Sequence, residues 1–123
     1  MRYNITRTVT KEMVYTEWLE LMQPHIRELK PLRNKDLQLL GQLIYAYNKH
    51  TNVEEEYRWA TVLSQRSKGE MRDRLNMSKA VFDNNMSRLR KSGLLVDNKV
   101  IPALLKPITE ETSVDFRINF DIL

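Results

Sequence analysis

Cysteine is absent from this chain of 123 residues. Without thiols there are no disulfides and no thiolate metal sites, which fits an intracellular or a virion protein. Only two histidines occur, His25 and His50, far apart in sequence. A histidine-based zinc site is therefore not expected, and both rings read as surface or core-edge residues. The three glycines, Gly41, Gly69 and Gly93, are scattered, so there is no glycine-rich loop to cradle a phosphate. No Ser/His/Asp set or paired carboxylates stand out, and neither an enzyme nor a cofactor is expected. No apolar run approaches the length needed to cross a bilayer, so no membrane partner is expected. The first ten residues, MRYNITRTVT, alternate in polarity and do not have the pattern of a signal peptide.

What the chain does have is concentrated in residues 67–95, SKGEMRDRLNMSKAVFDNNMSRLRKSGLL. Ser67 can cap a short helix, with Glu70 three residues on completing a capping box. Met71 and Leu75, at i and i+4, give that helix an apolar face. Asn76, Met77 and Ser78 interrupt it, and Ser78 can cap the next helix. That helix runs to Gly93, which suits a left-handed position that glycine reaches most cheaply. A short helix, a tight turn and a longer helix rich in Asn, Ser, Arg and Lys is a common way of entering the DNA major groove.

The net charge of +4 is mild, but it is unevenly placed. Between Arg58 and Lys91 stand nine bases (Arg58, Arg66, Lys68, Arg72, Arg74, Lys79, Arg88, Arg90, Lys91) against three acids (Glu70, Asp73, Asp83). That segment carries +6 and the remainder −2. Concentrated positive charge is the footprint of a nucleic-acid contact. It also suits an ordinary solvated helix surface.

Elsewhere the middle of the chain is helical and the ends are strand-like. Tyr3, Ile5 and Val9 alternate with polar residues and predict a short strand, although Arg7 breaks the set. Met13, Val14, Trp18, Leu21 and Met22 predict a helix over 10–22, stopped by Pro24. Residues 23–31 read as a connector between Pro24 and Pro31. Asn34 can cap a long helix with Leu37, Leu40, Ile44 and Tyr47 on one face; Gly41 either weakens it or admits a close neighbour. A third helix is predicted over 53–65, with Glu54, Glu55 and Glu56 at the positive end of its dipole. Trp18, Tyr45, Tyr47 and Trp59 fall at helical spacing from apolar residues and read as core. After residue 93 the period becomes two. Residues 94–101 predict a hairpin turning at Asp97 and Asn98. Val114, Phe116, Ile118, Phe120 and Ile122 predict a half-buried strand.

Helices followed by a small antiparallel sheet predict a mainly α, α+β fold. With 41% apolar content the chain can build a modest core as a single domain over 1–123. Its parts are N-terminal helices over 10–53, a helical core over 54–93 containing the helix-turn-helix at 67–93, and a wing with a C-terminal strand over 94–122. The run SKAVFDNNMSRLRKSGLL resembles the recognition helix and exit of winged helix-turn-helix proteins, whose Arg-Leu-Arg-Lys-x-Gly-Leu-type ending leads into the wing. The match spans roughly residues 54–122. From Arg58-Trp59 through DNNMSRLRKSGLL to FRINF, the chain is similar to small winged-helix proteins of tailed bacteriophages, including crAss-like ones. The helix over 10–22 lies outside that pattern and is a possible oligomerisation surface.

The resemblance implies a DNA-binding protein that contacts duplex DNA through the helix over 79–92. At about 100° per residue, Phe82, Met86, Leu89 and Gly93 share one side of that helix. Ala80, Asn84, Ser87, Arg88 and Lys91 share the other. Asn84 suits adenine and Arg88 guanine; Lys79, Arg90 and Lys91 suit phosphates, and Lys99 a contact from the wing. Asp83 flanks this face and would repel phosphate unless paired with a neighbour such as Lys79 or Arg90. Asn85 lies toward the packed side and reads as structural. The other reading is a structural virion component of a tailed phage, such as a neck, tail-ring or head–tail connector subunit. There the same fold serves protein assembly, with other phage structural proteins as partners. Either protein would be homo-oligomeric and would reside in the bacterial host cytoplasm or in the virion.

Overall fold

Residues 34–49 carry leucine or isoleucine over nearly half of a helix circumference, and Ala46 and Tyr47 add to that face, so the helix has a broad apolar surface to cover. The computed structural model, which describes residues 8–109, builds the fold around it. The central helix α2 (Asn34–Lys49) follows α1 (Val14–Met22) and precedes α3 (Glu55–Val62), α4 (Gln65–Leu75) and α5 (Lys79–Lys91). All four other helices pack on α2. Its Leu37, Leu39, Leu40, Leu43 and Ile44 are completely buried. Gly41 lets α1 approach. A Cβ there would stand 2.8 Å from the Thr16 backbone nitrogen and would also meet Thr16 Oγ1.

The helix boundaries follow from local hydrogen bonding. Helix α1 begins later than its apolar spacing suggests, because residues 11–13 form a turn closed by Met13 N–H donating to the Thr10 carbonyl at 3.1 Å. It ends in a 3₁₀ turn over Gln23–His25 that contains Pro24. The connector beyond is held by Gln23, whose Nε2 donates to the carbonyls of Leu29 (3.1 Å) and Leu32 (2.8 Å). At the start of α2, Asn34 is the first helical residue and not the cap; Asp36 Oδ2 accepts from Arg33 N–H at 3.0 Å. The predicted helix over 53–65 is shorter than expected, breaking after Val62, and α4 starts at Gln65. Ser64, not Ser67, is its cap, and Ser67 N–H donates to Ser64 Oγ at 3.2 Å. Glu70 therefore closes no capping box with Ser67; it pairs with Arg66 one turn back at 3.4 Å.

Helix α5 starts where predicted and ends at Lys91, one residue short of the predicted 79–92. Ser78 Oγ accepts from Val81 N–H at 3.2 Å. At the other end Gly93 takes φ +81°. There Gly93 N–H donates to the Arg90 carbonyl and Leu94 N–H to the Leu89 carbonyl, both at 3.2 Å. This is a Schellman closure with its hydrophobic contact between two buried leucines. Asn76 closes α4 similarly at φ 52°, with Met77 N–H donating to the Arg72 carbonyl at 2.9 Å. Strands β1 (Leu95–Val96) and β2 (Lys99–Val100) form an antiparallel hairpin. Asp97 and Asn98 both take positive φ (52° and 58°), the conformation of a type I′ turn. Leu95 faces Val100 inward, while Val96 faces Lys99 in solvent. Among the described residues the fold is thus mainly helical with one small antiparallel sheet. Of the N-terminal strand, Val9 lies in irregular backbone and the rest falls outside the described residues, as does the strand expected over 114–122.

Candidate nucleic-acid interface

Three residues connect α4 to α5, and the packing of α5 on α2 and β1 determines which side chains reach solvent. Phe82, Met86 and Leu89 are buried against the core. The outward ridge holds Ala80, Asn84 and Lys91, all exposed, and Ser87, half-buried. Lys79 and Arg90 are exposed on the flank of that ridge, and Lys99 is exposed on the hairpin. Asn85 is completely buried, with Nδ2 donating to Met77 Sδ at 3.7 Å. Of the seven residues assigned to contact, five thus lie on the outward ridge or flank of α5, and Lys99 is exposed on the hairpin.

Arg88 does not fill the role its place on the helix suggests. Its Nε donates to Asp36 Oδ1 at 2.9 Å and Oδ2 at 3.1 Å, and its Nη2 donates to Asn85 Oδ1. The Asp36 side chain is 0% exposed and that of Arg88 is 38% exposed. Turning Arg88 outward to a guanine would gain about 1–3 kcal/mol. Leaving a buried carboxylate without its cation costs about 3–5 kcal/mol. The inward state wins, and Arg88 joins α5 to α2.

The remaining bases of 58–91 divide in the same way. Arg58 Nη2 donates to the Val53 carbonyl at 3.1 Å, and its guanidinium lies 4.8 Å from the Tyr47 ring centre. Arg74 Nη1 donates to Gln42 Oε1 at 2.7 Å and lies 5.6 Å from the Tyr45 ring centre. Both lie over aromatic rings of the core, Arg58 half-buried and Arg74 exposed. Tyr47 and Trp59 stack at 4.9 Å with their planes 24° apart, while Trp18 and Tyr45 are half-buried against the same cluster.

Two residues belong to the surface that were not singled out from sequence. Lys68 and Arg72, one turn apart on α4, line a groove between α4 and α5 together with Gln65, Lys79, Phe82 and Asp83. Their i, i+4 spacing was a visible signal, but only the folded α4–α5 arrangement sets them opposite Lys79. Asp83 makes no ion pair among the described residues. It is the one acid on this groove, and neither Lys79 nor Arg90 neutralises it.

Among the described residues no group of three His, Cys, Asp or Glu side chains is placed to hold a metal ion. No helix there is long and apolar enough to cross a membrane. The chain matches no known family model, no curated protein and no solved structure.

Proposed function

We propose that this chain is a non-enzymatic winged-helix protein that binds double-stranded DNA, with α5 as its groove-facing helix and the β1–β2 hairpin as its wing. The observation that carries this reading is the charge of one surface. Lys79, Arg90, Lys91 and Lys99 are exposed and Lys68 and Arg72 half-buried, all without ion pairs among the described residues, and α5 presents an outward ridge of small and polar side chains. Small residues on the ridge let the helix approach a groove floor, while the flanking bases reach phosphates. Asp83 opposes them in the α4–α5 groove, and Asp97 is exposed at the hairpin turn beside Lys99. On the resemblance of the run from Arg58-Trp59 through DNNMSRLRKSGLL to FRINF to winged-helix proteins of tailed phages, we place the protein among phage-encoded DNA-binding proteins acting in the bacterial host.

Fluorescence polarisation with a labelled duplex at low salt tests the proposal. Binding is expected, and Lys79→Ala and Lys91→Ala are expected to weaken all duplexes alike, since phosphate contacts carry no base preference. Failure to bind any duplex at low salt would end this reading.

A further inference from the structure

We infer that the interface tolerates sequence: it holds duplex DNA through its phosphates and discriminates at no more than one base pair, through Asn84. This rests on the duplex-binding reading above and goes beyond it by specifying what the surface can distinguish. Base choice in the major groove depends on side chains that present two hydrogen-bonding groups to one base edge. On the α5 ridge, Arg88 is the only guanidinium, and it is held toward Asp36 and Asn85. Ala80 offers a methyl group, and the Ser87 hydroxyl suits any base. Lys79 lies on the flank turned to α4, in the groove with Lys68 and Arg72. At 100° per residue Arg90 falls on that same flank. Lys91 lies in the last turn, about 18 Å along the helix from Lys79, where the chain leaves for the hairpin. On the α5 ridge that leaves Asn84, exposed at its middle, as the one side chain with a paired donor and acceptor suited to adenine; Gln65, which has the same chemistry, lies on α4 at the groove and off that ridge. The surface is rich in cations that position a duplex and poor in groups that read it.

Selection from a randomised duplex pool, followed by polarisation on the best duplex and on scrambled controls, tests the inference. One bidentate contact corresponds to a preference of about 5- to 150-fold. The expected result is a preference within that limit, centred on a single A·T pair. It should vanish in Asn84→Ala while affinity for scrambled duplex stays within about threefold. A preference of about a thousandfold or more, or one that survives Asn84→Ala, overturns the inference and leaves duplex binding standing. Absence of binding to every duplex at low salt removes both.

Discussion

Arg88 lies on a helix between the exposed Asn84 and Lys91, yet its guanidinium reaches a carboxylate 52 residues earlier in the chain. The two ends of that contact differ in exposure, and so their removal should differ in effect. Arg88→Ala strands Asp36, which is fully buried, and should cost about 3–5 kcal/mol. Asp36→Ala removes the acceptor for Arg33 N–H, a loss of about 1 kcal/mol typical of a helix-terminal hydrogen bond. It leaves Arg88 with a partly exposed side chain that water can solvate. Urea unfolding of both variants at unchanged slope should therefore place the midpoint of Arg88→Ala well below that of Asp36→Ala. Equal midpoints would mean that the carboxylate finds other solvation and that the contact does not hold α5 on α2.

At the scale of the helices, two glycines in similar helical backbone should respond oppositely to alanine. An added methyl at Gly69 meets nothing nearer than Arg72 Nη2 at 3.9 Å, so the gain in helix propensity of about 0.5–1 kcal/mol is unopposed. At Gly41 the same methyl approaches the Thr16 backbone at 2.8 and 3.0 Å. Overpacking of about 1–3 kcal/mol then outweighs the propensity term. Thermal melts should show Gly69→Ala raised and Gly41→Ala lowered; a rise in both would mean that α1 does not sit on α2 at this distance. The local features of these elements were legible in sequence because they rest on local chemistry. Ser78, Gly93 and the Asp97-Asn98 pair each determine a terminus or turn within a few residues of themselves, and all three act as their positions predict. The break between α3 and α4 was not legible. No glycine or proline marks it, and Ser67 with Glu70 three residues on has the form of a capping box, whereas Ser64 is the cap. Arg88 was illegible for a different reason. A helical wheel tells which side of α5 faces outward but carries no information about a carboxylate on α2.

For the whole molecule, the useful quantity is how many of its bases a polyanion can engage. Composition alone offers ten between Arg58 and Lys99. The fold engages Arg58 and Arg88, both half-buried, and the exposed Arg74 with partners of its own, and pairs Arg66 with Glu70. Six remain for phosphates: Lys68, Arg72, Lys79, Arg90, Lys91 and Lys99. Each engaged phosphate releases condensed counterions, which lowers the logarithmic salt dependence of binding by about 0.9. Full engagement of six predicts a slope near −5 for duplex binding against salt, and ten would give about −9. Polarisation titrations across a range of salt concentrations distinguish the two. Arg72→Ala should make the slope shallower by about one unit, and Arg58→Gln should leave it unchanged, because Arg58 lies against Tyr47 and the Val53 carbonyl. A wild-type slope near −9 would mean that Arg58, Arg66, Arg74 and Arg88 release their partners when the protein binds. The Asp36–Arg88 contact would then open on DNA, and α5 could not remain seated on α2 as it is in the free protein.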